Sequence, residues 1–264
     1  MVSHDPTPRF HDEHSGRRRG REMPTFVQDA TLSQLVRDAY VGPSDDDRPR
    51  ENPYALQPDT LRFLSNLLKL VRPRSVVEFG SGESTVVFAS WAAANSSSVI
   101  SVEHDRRWVE EIRKKLDPAQ RAAVRLVHAP LRPTRQGLRQ FLSYGSITRL
   151  TSDVGQADLL LLDGPHMSGR EIVLYFVLTT CHPGALIVID DFRHYAVFDM
   201  LRGLPPSIVD CFGGTNIEDN SHGLFVLRCL RRPPPTRIPS QGFRAVLRSY
   251  WRCLRDFRQY GTGD

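Results

Sequence analysis

Apolar positions recur at helical spacing from Leu32 to Tyr40, where Leu32, Leu35, Val36, Ala39 and Tyr40 share a face and Gly42-Pro43 ends the run. After Pro58-Asp59, a second helical face is written by Leu61, Leu64, Leu67, Leu68 and Val71, and Pro73 stops it. The period then changes. Short Val/Ile/Leu-rich runs predict strands at Ser75–Phe79, Val99–Glu103, Val124–His128, Leu159–Asp163 and Ala185–Asp190, separated by helices over Glu83–Ala94, Asp105–Leu116 and Gly169–Thr180. An irregular stretch carries a predicted helix near Gln136–Ser143, and a short helix is predicted near Val197–Leu201. The last two strands, Ser207–Phe212 and Gly223–Leu230, are joined by the polar loop Gly213–Ser221 with no helix between them, so they must form a hairpin that reverses one strand.

Buried strands alternating with helices mean a parallel sheet covered on both faces. The expected architecture is therefore α/β, a Rossmann-like doubly wound, mostly parallel seven-stranded sheet with an antiparallel terminal hairpin. With 264 residues, 40% hydrophobic and 25% charged, one large domain with tails is the simplest organisation. Residues 1–24 are an Arg- and His-rich arm with few apolar anchors, expected to be disordered, and 25–52 hold the first helix and an acidic loop. The main domain spans 53–230, and 231–264 form a Pro-rich linker followed by an Arg-rich helix. No apolar run approaches the roughly 20 residues of a membrane span, and Met1 to Pro24 have no apolar core of a secretory signal, so a cytoplasmic location is the default. Cys181, Cys211, Cys229 and Cys253 are scattered and form no metal-type or redox spacing. The net charge of +5 lies mainly in the C-terminal segment, where eight Arg face two acids, which leaves the body without a nucleic-acid footprint.

The candidate chemistry begins at Val76 to Thr85, where an apolar run ends in Glu78 and then in a turn with Gly80 and Gly82; a second acid, Glu103, ends the next strand. Glycine lets the backbone pass close to a ligand where a Cβ would collide, and an acid at the tip of the second strand can accept from both hydroxyls of a ribose. That pairing fits a nucleoside-bearing cofactor. A dinucleotide fingerprint would place Gly or Ala where this chain has Thr85, and Glu78 would repel a diphosphate. The stretch resembles the first motif of the class I S-adenosylmethionine-dependent methyltransferases. The resemblance extends over about Pro53 to Leu230, because that family ends in a reversed strand that ordinary dinucleotide folds lack. It implies S-adenosyl-L-methionine as cofactor, with Glu78, Gly80, Gly82, Ser84, Glu103, His104 and Asp163 around it and Glu103 on the ribose. It also implies a lid over the cofactor from the helices before the first strand.

Three acids, Asp163, Asp190 and Asp191, end the fourth and fifth strands, where open α/β sheets bind ligands. Gathered carboxylates repel one another unless something positive sits between them, and oxygen ligands suit Mg²⁺. The arrangement resembles that of the metal-dependent O-methyltransferases related to catechol O-methyltransferase, with Asp191 in place of their Asn. Two readings stay open: an ion held by Asp163, Asp190 and Asp191, or acids that approach substrate and sulfonium without one. Leu162-Asp163-Gly164-Pro165-His166 resembles the Asp-Gly-x-His stretch of small-molecule methyltransferases. His166 stands three residues after Asp163, where the metal-dependent family has its Lys base. Asp163 and His166 are therefore the catalytic candidates, His166 as base or as a cap of the next helix, with His194 and His222 near by position. Arg170, Arg193 and Tyr195 read as surface residues with a lesser claim on a polar or acidic acceptor.

The expected activity is methyl transfer to a small molecule, at a hydroxyl oxygen. A nicotinamide-dependent oxidoreductase and a non-catalytic binding protein on the same fold are the alternatives. In the tail, Phe243, Val246, Leu247, Tyr250, Trp251, Leu254 and Phe257 form an apolar stripe against Arg244, Arg248, Arg252, Arg255 and Arg258. Docking of that stripe on protein, on its own domain or on a second copy in a homodimer, is favoured over membrane or nucleic acid.

Overall fold

The computed structural model describes residues 24–44, 56–136, 138–165, 169–191, 201–217, 223–234, 249–251 and 253–255. The first helix, α1 (Ala30–Ala39), starts where the Asp29 carboxylate accepts from Leu32 N at 2.8 Å, and α2 (Pro58–Val71) starts on a proline whose missing N–H costs nothing there. Next come β1 (Ser75–Phe79), α3 (Glu83–Asn95), β2 (Ser98–Glu103), α4 (Arg106–Lys115), α5 (Pro118–Ala123) and β3 (Val124–His128). The chain continues through β4 (Leu131–Gln136), β5 (Arg139–Tyr144), α6 (Thr151–Gln156), β6 (Leu159–Leu162), α7 (Gly169–Thr180) and β7 (Leu186–Ile189). A single helical turn, Pro206–Val209, precedes β8 (Phe212–Ile217) and β9 (Leu224–Cys229).

Seven strands form one sheet in the order β3-β2-β1-β6-β7-β9-β8. All neighbours are parallel except β9, which runs against both β7 and β8, as the helix-free connection requires. Strand direction along the order reverses its progression between β1 and β6, which is the switch point where a crevice opens at the carboxyl ends. Alternation along each strand divides the core into two. Val76, Val99, Leu159, Leu161, Val188 and Val226 face α1, α2 and α3, while Val77, Phe79, Leu160, Leu162, Ile187 and Leu227 face α7 and the β4–β5 hairpin. Ala39, Leu64, Leu67 and Phe63 of the first two helices are buried in the former layer.

Three predicted elements differ. The helix expected at Gln136–Ser143 is a β-hairpin: Thr134 pairs with Phe141 and Leu131 with Tyr144. Phe141 to Tyr144 are buried on both sides, between the sheet and α7, and such a short apolar run has no period of its own to distinguish strand from helix. Pro133 is tolerated because β4 is an edge strand of this two-stranded sheet. The strand expected at Ser207–Phe212 lies later, because Pro205-Pro206 start a helical turn; the supposed loop residues Gly213 and Gly214 are strand. Glycine is needed there, since an added Cβ would stand 2.7 Å from Asp29 Cβ at 213 and 2.9 Å from Phe26 Cβ at 214. The N-terminal segment thereby lies along β8, with Val27 N donating to Phe212 O at 3.0 Å.

The third difference concerns the tail. Ser249 and Cys253 face inward, with Gln140 N donating to Ser249 Oγ at 3.3 Å, whereas Trp251 is 70% exposed and Tyr250 and Leu254 also face outward. Small residues one turn apart let this helix approach β5 closely, so the aromatic stripe is not what docks it on the domain. All four cysteines are buried and unbridged. The arm 1–23, the acidic loop 45–47, Val197–Met200 and Phe243–Arg248 lie outside the described residues, and no helix among those described is long and apolar enough to cross a membrane.

Candidate active site

The turn after β1 is held by a buried network of hydroxyls. Glu78 is 0% exposed, and its carboxylate accepts from Ser84 Oγ, from Thr85 Oγ1 at 2.6 Å and from Ser101 Oγ at 2.6 Å. Thr85 Oγ1 also accepts from Gly82 N at 2.9 Å, and Ser81 Oγ lies 2.7 Å from Ser101 Oγ. Glu78 therefore fastens β1 to α3 and β2 from behind the turn rather than facing the cleft. Burial raises its carboxyl from an ordinary 4.5 to about 7, against the lowering effect of the hydroxyls of Ser101, Ser84 and Thr85. Thr85, unsuited to a pyrophosphate fingerprint, has its own reason here: its hydroxyl bridges the acid and the turn.

Gly80 adopts φ +99°, and a Cβ there would meet Gly164 N at 2.8 Å. Gly164 in turn has room for nothing larger, since its Cβ would meet Tyr144 Oη at 2.6 Å and Gly80 Cα at 2.9 Å. The turns after β1 and β6 thus touch backbone to backbone. At Gly82 the added Cβ meets only Ser84 Oγ, at 3.9 Å, so this side of the turn is open.

Glu103 ends β2 beside that turn. One carboxylate oxygen takes His104 N at 2.7 Å, Asp105 N at 2.9 Å and His104 Nδ1 at 2.7 Å; the other takes Ser81 N at 3.1 Å. Burial opposes the charge, but the His104 hydrogen bond and charge and the backbone N–H groups of Asp105 and His104 outweigh it and hold the carboxyl below its usual range. The ionised group keeps acceptor capacity on Oε2 for one more donor. Trp108 Nε1 donates to Ser81 O at 2.6 Å and closes the corner.

Beyond the switch point, Asp163 follows β6, and Asp190 and Asp191 follow β7. One carboxylate oxygen from each lies within 4.8 Å of the others, so the three acids predicted to gather do so. Arg170, read from the sequence as a surface residue, is instead 2% exposed and lies among them. Its Nη2 is 3.6 Å from Asp163 Oδ1 and its Nη1 3.5 Å from Asp191 Oδ2. Nη1 also donates to Asp190 O at 3.2 Å, Nε to Pro165 O at 3.4 Å and Nη2 to Asp163 O. Asp190 is buried with no hydrogen-bond partner at Oδ1 among the described residues, and burial, then the charges of Asp163 and Asp191, push its carboxyl well above the ordinary range.

The structure therefore joins Gly80, Gly82, Ser84, Glu78, Glu103 and His104 in one corner and the three acids in the adjacent one. His166, His194, His222, Arg193 and Tyr195 lie outside the described residues. Thr85, Ser101, Trp108, Tyr144 and Arg170 were not foreseen as parts of the site. Ser101 left a trace, a hydroxyl interrupting Val99-Ile100 and Val102 in a buried strand; Tyr144 and Arg170 left none, because their neighbours are far away in sequence.

Residues 77–192 match a family described as a methyltransferase domain. The fold is similar to that of the methyltransferase PaMTH1 of Podospora anserina, crystallised with bound SAH, at 14% identity and a TM-score of 0.51, covering 80% of this chain and 99% of that one. A putative caffeoyl-CoA O-methyltransferase from Staphylococcus aureus shows 13% identity and a TM-score of 0.46 over 76% of this chain and 93% of its own. An RNA methyltransferase from Salinibacter ruber shows 14% identity and a TM-score of 0.43 over 72% and 99%. No curated protein matches the chain in sequence. With the strand order, the reversed β9 and the matched segment in agreement, the chain carries a class I S-adenosylmethionine-dependent methyltransferase domain.

Proposed function

We propose that this chain transfers the methyl group of S-adenosylmethionine to a hydroxyl oxygen of a small molecule. The observation that carries this reading is the backbone contact of Gly80 with Gly164, which sets the cofactor corner directly against Asp163. The open side of Gly82 and the residual acceptor capacity of Glu103 suit an adenosine-bearing ligand, with Glu103 taking a ribose hydroxyl as donor. When bound, the cofactor supplies the electrophilic methyl group. The protein's own part is to hold the acceptor oxygen in line with it and to manage one proton. Asp163, partly accessible at the mouth of the cluster, accepts from the acceptor hydroxyl and orients it, and His166, three residues on, is the proposed base. A small acceptor is favoured because the charge of the body is not that of a phosphate-binding surface, the Arg excess lying in 231–264. A cytoplasmic setting, with four unbridged thiols, belongs to the same reading.

Calorimetric titration with S-adenosylhomocysteine tests the cofactor assignment. Wild type is expected to bind it and to ignore NAD, and Glu103→Ala to bind at least about tenfold more weakly, the loss of one charge-assisted hydrogen bond. Binding of NAD in its place, or equal affinity in Glu103→Ala, overturns the ribose assignment.

A further inference from the structure

The acid cluster already contains a cation. We propose that the Arg170 guanidinium is the permanent counter-ion of Asp163, Asp190 and Asp191 and stands where a divalent metal would otherwise be held, so that the site takes up no Mg²⁺. The inference goes beyond the methyl-transfer reading and concerns only the ion content of the same cleft.

Arg170 meets Asp163 Oδ1 with one terminal nitrogen and Asp191 Oδ2 with the other, at 3.6 and 3.5 Å, so its fork spans two of the three acids. Its position does not depend on a substrate. Three main-chain carbonyls, those of Asp163, Pro165 and Asp190, accept from it, and they belong to the two strand ends that present the acids. A guanidinium cannot shed its proton, and at 2% exposure this one has no path by which to swing into solvent. Mg²⁺ demands several oxygens at about 2.0–2.1 Å in octahedral array. An ion meeting Asp163 and Asp191 at that range would sit against a fixed positive charge. The residues present therefore do not fit Mg²⁺ while Arg170 stays in place. Asp190 Oδ1, buried and without a partner, marks the opening that an ion would use once the guanidinium was removed. Asp191 in place of the Asn of the metal-dependent enzymes is consistent with this arrangement, because the extra carboxylate faces an arginine.

Titration of the full-length protein with Mn²⁺, followed by electron paramagnetic resonance of the free ion, tests the assignment. Wild type is expected to take up no stoichiometric Mn²⁺ below about 1 mM, and Arg170→Met to bind it at least about tenfold more tightly than wild type. That gain is expected to vanish in Arg170→Met combined with Asp163→Asn, and to be absent in Arg170→Lys, which keeps a charge. Uptake of one Mn²⁺ by wild type that Asp163→Asn abolishes, or no uptake by a folded Arg170→Met, overturns the proposal; should that variant not fold, Arg170→Gln serves for the same comparison. Titration with S-adenosylhomocysteine on the same preparations separates the two conclusions. Mn²⁺ uptake with the nucleoside still bound defeats the Arg170 assignment alone, and loss of nucleoside binding in wild type bears on the methyl-transfer reading alone.

Discussion

A buried carboxyl surrounded by three hydroxyl donors makes Glu78 sensitive to pH in a defined direction. Its proton is held more tightly in the folded protein, where burial brings the carboxyl to about 7, than in the unfolded chain, where it titrates near 4.5. This contribution to stability is full below about pH 4.5 and is lost as pH rises through about 7, amounting to about 3 kcal/mol. Glu78→Gln is therefore expected to gain on wild type between about pH 5 and about pH 8 in urea-unfolding midpoints. A pH-independent difference between the two proteins removes the assignment. The acids and glycines of this corner were legible in the sequence, because each ends an apolar run. Their behaviour was not. Glu78 reads there as a cofactor neighbour, whereas Ser84, Thr85 and Ser101 turn it into a fastener, and nothing in a spacing says that Ser101 of β2 faces α3 until the register with β1 pairs it with Glu78.

At the scale of elements, the parallel strands and the helices between them follow from alternating periods, and the hairpin in the middle does not. β5 lies between the sheet and α7, and its approach to that helix is so close that a Cβ on Gly169 would collide with Leu142 O. Ser143 Oγ donates to Gly169 O at 3.2 Å across the same contact. Gly169→Ala is thus expected to force α7 off β5 and destabilise the protein by about 1–3 kcal/mol, read as a fall of several degrees in the thermal midpoint. An unchanged midpoint would mean that the helix start is freer than this packing allows. The sequence around 131–144 is short, carries a proline and is buried on both faces, and it is partner strands and α7, supplied from elsewhere in the chain, that select its conformation. The shift of the penultimate strand past Pro205-Pro206 has the same origin: Asp29 and Phe26, nearly 190 residues earlier, occupy the space that makes glycine-rich strand backbone the better fit.

For the whole molecule, the tails and the domain are physically separable in a way that composition anticipates. The C-terminal segment carries the positive charge, while the sheet and its two apolar layers carry the fold. Among described contacts, the tail helix meets the domain through Cys253 in the core layer beneath the hairpin and through Ser249 on Gln140. Deleting residues 236–264 is expected to lower the thermal midpoint by a few degrees, since one buried small side chain and one hydrogen bond are lost, and to leave S-adenosylhomocysteine affinity within about twofold. A collapse of affinity would place part of the tail in the cleft. Its sequence suggests a helix that docks by aromatics, and the described turn docks by small residues instead; amphipathic spacing shows that a helix has two faces without saying which of them the domain will accept.

The clasp between Gly80 and Gly164 has a consequence for anyone who would re-engineer this scaffold. Because two bare α-carbons are pressed together, the loop that recognises the methyl donor and the loop that greets the acceptor share a single pivot, and neither can be lengthened, swapped or grafted without carrying its mate along. New acceptor preferences are therefore to be sought in the walls contributed by the mid-chain hairpin and the stretch beyond Asp191, which can vary while that pivot stays fixed.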